Sequence, residues 1–327
     1  MRLIMAVLVM LCGVTLPTDA QKTVKPTTQK APQKLQKMVF TPQWTAQAQF
    51  AGYYVAKEKG FYRQAGLDVD IVHPSLTQSA MSRIRRNESH ATTLQLAQAM
   101  EIIDHGIPLV NILQTSMNNA LVIVSRRNMN PIKQKGARVG TWSAGFGQMA
   151  ECMSKREHLN YQWIPVATNI NLFISGAVDA TLAMSYNEYY QIVQTGMLLS
   201  KESVYRFCDH GYNIQEDGVY MTRDYYNKNR DQARRFAIAS RKGWEWAAAH
   251  PDETLEIVMR YVNKYHISTN RPIQKLMLDE ILRLQVDRES KKREFRLRPD
   301  MVQRASKMMV ANGMLSREIT YQELINK

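Results

Sequence analysis

A strand, a glycine-closed helix and a second strand follow one another between residues 37 and 72, and few folds accept that order. Residues 37–41 read as a short strand. Residues 47–59 put Phe50, Ala51, Tyr54 and Val55 on one helical side, and Gly60 follows where a left-handed cap ends such a helix. Residues 69–72 form the next strand. Two strands joined through a helix make a crossover unit, which favours a right-handed connection and a parallel sheet.

The alternation continues. Helices are predicted at 79–86 and 94–105, with strands at 91–93, 109–114 and 120–124. A second set has strands at 137–142, 164–166 and 180–184 and helices at 148–158, 169–175 and 187–194. Residues 219–222 form the last clear strand. Helices at 231–250, 251–264, 271–284 and 298–312 follow, with Pro251 in a first turn, where its missing N–H costs nothing. The expected architecture is α/β with two lobes. Residues 38–124 open lobe one, 125–218 form lobe two, and 219–327 return to lobe one and end in a helical tail. Crossings near 124–126 and 218–220 are expected to hinge. Ligands in such sheets lie beyond the carboxyl ends of strands, and lobe boundaries favour clefts.

The first 37 residues are expected to stand apart from the fold. Met1 and Arg2 give a positive start, residues 3–16 are almost wholly apolar, and Thr18 and Ala20 are the small residues of a cleavage site. This is a secretory-signal pattern, cleaved near Ala20. The apolar run falls short of the roughly 20 residues a spanning helix needs. Leu11 before Cys12 does not suit a lipobox. Residues 21–37, rich in Lys, Gln, Thr and Pro with no acidic residue, read as a disordered linker. The expected location is periplasmic.

The formal net charge is +14. Basic chains meet nucleic acid, anionic lipid or acidic ligands, but export argues against nucleic acid, and the charge is spread along the chain. Cys152 and Cys208 remain after cleavage, and spacing does not say whether they pair. No G-x-S-x-G, P-loop, H-E-x-x-H or CxxC motif occurs. The seven histidines lack metal-ligand spacing and read as surface or helix-end residues. No cofactor, metal or catalytic residue is expected.

Three segments read as ligand contacts. The first follows the opening strand and carries Trp44, Gln47 and Tyr53; Trp44 either stacks on a planar ring or packs in the core. The second is the glycine-bearing loop with Trp142, Ser143, Gly145 and Phe146, whose backbone N–H groups open onto a helix start. The third is the run Met184-Ser-Tyr-Asn-Glu188, with Tyr186, Asn187 and Glu188 as its contacts. Glu188 either complements a helix start or accepts hydrogen bonds from an aminopyrimidine-like ligand. Thr93 and Thr115, at or just past strand ends, complete the set. Glu188 is expected outside the core, so that its loss weakens binding and leaves folding intact.

The run Phe50-Ala-Gly-Tyr-Tyr-Val-Ala-Lys-Glu-Lys-Gly-Phe-Tyr62, followed by Gly66-Leu-Asp-Val-Asp70, resembles the start of the SsuA/THI5-like (NMT1/THI5) family. Gly106-Ile-Pro108, Gly136-Ala-Arg-Val-Gly140, Gly176-Ala-Val-Asp-Ala180 and Tyr186-Asn-Glu188 continue the match in order. The resemblance spans roughly residues 38–251. It implies a type II periplasmic-binding-protein fold and a substrate-binding protein of an ABC transporter. The ligand is then a thiamine-pyrimidine precursor, a riboflavin-type compound, an alkylsulfonate or nitrate, and the partner is a membrane permease. With aromatic residues at the strand ends, a small heteroaromatic ligand is expected, an aminopyrimidine ahead of a flavin-like ring. The chain is read as a monomer. Eukaryotic relatives are thiamine pyrimidine synthases with a pyridoxal-phosphate lysine, a histidine and a Cys-rich motif. Here Leu94 and Gln98 stand at the lysine and histidine positions, and residues 213–218 hold no cysteine. The resemblance therefore points to binding and not to that chemistry. A ligand sensor for a membrane kinase is a third reading.

Overall fold

The computed structural model describes residues 34–75, 78–126, 128–167 and 170–326. The expected signal peptide and all but the end of the expected linker lie outside these residues. The strands in chain order are β1 (Gln36–Thr41), β2 (Leu67–Ile71), β3 (Ala91–Gln95), β4 (Leu109–Gln114), β5 (Leu121–Ser125), β6 (Arg138–Trp142), β7 (Gln162–Val166), β8 (Ala180–Met184), β9 (Val204–Arg206) and β10 (Asp217–Thr222). The helices are α1 (Ala51–Glu58), α2 (Phe61–Gln64), α3 (Ala80–Arg85), α4 (Leu96–Asp104), α5 (Gln148–Arg156), α6 (Asn171–Ile174), α7 (Glu188–Gln194), α8 (Arg223–Lys228), α9 (Arg230–Ala249), α10 (Pro251–Lys264), α11 (Arg271–Leu284), α12 (Pro299–Ala311) and α13 (Tyr321–Ile325).

The strands form two five-stranded sheets. Sheet one runs β2-β1-β3-β10-β4 and sheet two runs β7-β6-β8-β5-β9. In sheet one, β1 is parallel to β2 and β3, while β10 is antiparallel to β3 and β4. Burial explains the ordering. The central strands β3, β5 and β8 are buried along their whole length, as strands covered on both faces must be. Edge strand β2 alternates instead and turns Asp68 and Asp70 to solvent, where charge discourages pairing with another chain.

Three expectations about boundaries change. β1 begins at Gln36, inside the expected linker, because Gln36 and Lys37 already pair with Leu67 and Asp68. The run expected to close lobe one, residues 120–124, belongs to sheet two, where β5 pairs with β8 and β9. Asp217 and Gly218, expected in lobe two, lie in sheet one. The crossings therefore fall at residues 115–120 and 207–216, not at 124–126 and 218–220. They are tied to each other: Thr115 N and Ser116 N donate to the Asp217 carbonyl, and Asn119 N donates to Asn213 Oδ1 at 2.9 Å. Four elements escape the sequence pattern, namely α2, β9, α8 and α13. In addition, residues 94–95 extend β3 in place of opening α4.

α9 lies across α1, and two glycines make the close approach possible. A methyl added at Gly243 would lie 2.0 Å from the Gly52 carbonyl oxygen, and one added at Gly52 would lie 2.1 Å from the Trp244 ring. Phe236 on α9 packs on Phe40 of β1 with ring centroids 5.3 Å apart. The helical tail also reaches the second set of elements. Lys155 on α5 donates to the Asn312 carbonyl at 2.7 Å, and Cys152 Sγ lies 3.4 Å from Met314 Sδ. Cys152 and Cys208 are both free thiols. Among the described residues no helix is long and apolar enough to cross a membrane, and no cluster of His, Cys, Asp and Glu is placed to hold a metal ion.

Candidate ligand-binding cleft

The loops that leave β1, β6 and β8 meet in one cleft. Its wall comprises Gln43, Trp44, Gln47, Gln49, Gln95, Trp142, Phe146, Met184, Tyr186, Asn187 and Glu188, around a volume of about 300 Å³ that includes its open mouth. Trp44 comes from the sheet-one side and Phe146 from the sheet-two side. Their rings meet edge to face with centroids 5.6 Å apart, and Trp142 meets Phe146 in the same way at 6.2 Å. Two polar contacts span the same gap. Gln98 Nε2 donates to the Ala144 carbonyl at 3.2 Å, and Gln148 Nε2 donates to Glu101 Oε2 at 2.7 Å.

Trp44 is held by a residue the sequence did not single out. His73, expected at the surface, is buried, because β2 delivers it beneath the loop after β1. Its Nδ1 lies 2.6 Å from the Trp44 carbonyl oxygen and therefore carries the proton, and its Nε2 lies 2.7 Å from the Tyr54 hydroxyl. Burial lowers the His73 pKa to about 4, so the neutral ring that fits these two partners persists across ordinary pH.

A second network fixes the floor. Asp217, at the start of β10, accepts from Gln43 Nε2 at 3.0 Å and from Gln49 Nε2 at 2.6 Å, while Gln47 Nε2 donates to Gln49 Oε1 at 2.7 Å. Among the described residues Gln43 Oε1 is buried without a partner, an unused acceptor on a cleft-lining side chain. Burial raises the pKa of Asp217.

The twelve predicted residues divide. Trp44, Gln47, Trp142, Phe146, Tyr186, Asn187 and Glu188 line the cleft together. Thr93 supports it from behind, accepting from Gln43 N at 2.9 Å. Thr115 lies deeper, donating to the Asp217 carbonyl at 3.0 Å. Tyr53 is not brought to the cleft wall: its ring packs between Phe40 and Trp244 in the core. Ser143 and Gly145 are exposed in the turn before α5, and the Gly145 carbonyl accepts from Gln148 Nε2 at 2.8 Å. That loop contributes Phe146 to the cleft.

Glu188 differs most from expectation. It is 5 % exposed. Its Oε2 accepts from Met184 N and its Oε1 from Asn187 Nδ2, both at 2.9 Å. Burial raises its pKa, against those hydrogen bonds and the neighbouring Trp142. Glu188 thus closes the turn between β8 and α7, and its loss would cost folding stability as well, since a buried N–H left unpaired costs about 1–3 kcal/mol. Sequence reasoning missed Gln43, Gln49, Gln95 and Met184 on this wall. Gln43 and Gln49 stand within the first segment singled out and Met184 opens the third, and the amide chemistry of the two glutamines was the available signal.

Comparison with known proteins follows the same lines. The NMT1/THI5 like family profile matches residues 47–254. A formylaminopyrimidine-binding protein of Halalkalibacterium halodurans is 24% identical over 232 residues, covering 66% of this chain and 68% of that protein. The riboflavin-binding protein RibY of Chloroflexus aurantiacus is 19% identical over 306 residues, covering 84% of this chain and 81% of that protein. Among solved structures, the periplasmic aliphatic sulphonate binding protein SsuA of Escherichia coli superposes with a TM-score of 0.61 at 11% identity, covering 88% of this chain and 91% of that one. The two-sheet architecture is that of a type II periplasmic binding protein.

Proposed function

The chain belongs to the NMT1/THI5-like family, and we propose that it is an extracytoplasmic solute-binding protein that captures a small flat heteroaromatic ligand for an ABC importer. The observation that carries this reading is the convergence of Trp44, Trp142 and Phe146, delivered from two sheets, on one cleft. Aromatic faces gain about 0.5–1.5 kcal/mol from stacking beyond the area they bury, and the alkyl chain of a sulfonate does not use that geometry. The unused Gln43 acceptor and the carboxylates beneath it favour a ligand with N–H donors. The aminopyrimidine in the name of the H. halodurans protein fits this chemistry, so an aminopyrimidine ranks ahead of a riboflavin-like ring. The partner is a membrane permease, and the protein acts as an exported monomer.

The synthase reading is disfavoured by the residues at its two signature positions. Leu94 is a buried apolar residue of β3, and Gln98 is engaged with the Ala144 carbonyl. Neither forms a Schiff base. A sensor feeding a membrane kinase would use the same cleft, and it differs from an importer component in its partner.

A thermal-shift screen tests the ligand class. An aminopyrimidine at 100 times its dissociation constant should add about 2.7 kcal/mol of stability, and Trp142→Ala, binding about tenfold more weakly, should keep no more than about half of that gain at the same concentration. Stabilisation by inorganic or alkyl anions alone would contradict the aromatic reading.

A further inference from the structure

Four glutamines, Gln43, Gln47, Gln49 and Gln95, stand on the cleft wall. A primary amide accepts through its oxygen and donates through its nitrogen, and half a turn about its last bond exchanges the two. What such a wall offers a ligand is open until something fixes the sense of each amide. Asp217 does this for two of them. It stands behind the wall and is not part of it. An ionised carboxylate only accepts, so Gln43 and Gln49 both turn their nitrogens to it, at 3.0 and 2.6 Å. Gln49 is locked from its other end as well, because its Oε1 accepts from Gln47 Nε2 at 2.7 Å. Gln43 is pinned at its backbone, where N donates to Thr93 Oγ1 at 2.9 Å. Its Oε1 is buried and, among the described residues, without a partner. Buried polar atoms are nearly always paired in folded proteins.

Resting on the binding-protein reading above, we infer that Asp217 is a positioning residue that sets ligand specificity. Without touching the ligand, it holds Gln43 with the carbonyl oxygen presented, so that the cleft selects a flat ring carrying an N–H donor over the same ring without one. Turning Gln43 round would set its oxygen against the Asp217 carboxylate, so the acceptor is not exchanged for a donor. A ligand N–H supplies the hydrogen bond that Gln43 Oε1 lacks. A ligand without one leaves that oxygen buried and unpaired, and a site built to pair a donor rejects the analogue that lacks it.

The choice of an acid at this position supports the role. Asp217 is 9 % exposed. Burial pushes its carboxyl pKa up, and the two amides hold it down. Two amide nitrogens on its two oxygens suit the ionised form, since a protonated carboxyl would have to give its O–H to one of the glutamine oxygens. A buried carboxylate held by neutral amides costs stability that a neutral side chain of the same shape would not. An asparagine would fill the space, but it donates as well as accepts, so one glutamine would have to present its oxygen to it. Turning Gln49 would break its bond with Gln47, so Gln43 is the one that turns.

Isothermal titration of the full chain at neutral pH with 4-aminopyrimidine and with 4-methylpyrimidine, whose methyl matches the amine in size and cannot donate, tests this. Wild type should prefer the amine by at least about tenfold. In Asp217→Asn that preference should shrink by at least about tenfold, while affinity for the methyl compound does not fall. Gln43→Met removes the acceptor and should erase the preference by itself. Adding Asp217→Asn to Gln43→Met should then change the preference no further, as action through one residue requires. If wild type shows no preference, if Asp217→Asn weakens both compounds equally, or if it shifts the preference as much in the Gln43→Met background, the inference is wrong while the cleft stands. If 4-aminopyrimidine does not saturate wild type, or Trp142→Ala binds it normally, the binding-protein reading fails and this inference fails with it.

Discussion

Gly243→Ala is expected to destabilise the protein more than any other single-methyl change, by about 3 kcal/mol or more, the upper end of overpacking costs. The added methyl would lie 2.0 Å from the Gly52 carbonyl oxygen, 2.8 Å from Ala56 Cβ and 2.9 Å from Ala56 N. Two of those neighbours are helix backbone, which does not rotate aside as a side chain does. Relief therefore requires α9 to lift from α1. That separation would also displace Trp244, whose ring packs on Gly52 and meets the Tyr53 ring edge to face. Gly60→Ala is the contrast. Gly60 has φ +73° and nothing within 4 Å of an added methyl, so its cost is that of a left-handed alanine, about 1–2 kcal/mol. Urea unfolding should give Gly243→Ala a markedly lower midpoint with an unchanged slope. A midpoint equal to wild type would mean that α1 and α9 do not cross at these glycines.

The stability of the protein is expected to fall as pH rises from neutrality, and Glu216→Gln is expected to remove much of that fall. Burial, with the Asp217 carboxylate beside it, raises the Glu216 pKa, so Glu216 loses its proton near 4.5 in the unfolded chain and near 8 in the folded protein. Between those values the folded state holds the extra proton, so raising the pH favours unfolding. His73 acts in the opposite sense. It is neutral when folded down to about 4 but protonates near 6.5 when unfolded, so it adds stability as pH rises through that interval. The two oppose each other below 6.5, which leaves pH 6.5 to 8 as the clean window. Across that window the gain of the variant on wild type should grow by about 1.4 kcal/mol per pH unit, about 2 kcal/mol between pH 6.5 and 8 and in addition to what it gains between 4.5 and 6.5. Below pH 5 the two proteins should unfold alike. Parallel stability curves across the window would show that Glu216 ionises in the folded state as it does in water.

Much of the architecture was readable because local pattern and burial agree. The β1–α1–β2 unit carries its own helix stop at Gly60, and β4, β8, α10 and α11 match their predicted limits. The boundary between the halves was not readable, for a physical reason. Residues 120–124 form a continuous apolar run, which fits a buried central strand in either sheet. Its partners in β8 and β9 lie 55 or more residues on and are not encoded locally. β9 has three residues and no periodicity to detect.

The candidate cleft was legible where a residue type has few other uses at a strand end, as with Trp44, Trp142 and Phe146. It was not legible where the same residue type serves two roles. Tyr53 sits one helical position from Tyr54, yet its ring goes to the Phe40–Trp244 core. Glu188 looks identical in sequence whether it is a free cleft acceptor or the clasp on Met184 N. The burial of Glu216 and Asp217 was invisible because the residues around them, Gln49, Thr115, Tyr186, Trp244 and Gln285 among them, come from distant parts of the chain, and the two acids read as an ordinary polar pair before a strand. Only the return of the chain to sheet one buries them together.

The most direct test of ligand capture between the two aromatic walls is calorimetric titration of 4-aminopyrimidine and of ethanesulfonate into wild type, Trp44→Ala and Trp142→Ala at neutral pH. The expected result is saturable binding of the amine to wild type, at least about tenfold weaker binding to each tryptophan variant, equivalent to about 1.4 kcal/mol, and no heat from the sulfonate. Saturation by ethanesulfonate with none by the amine, or undiminished binding in both variants, would contradict it.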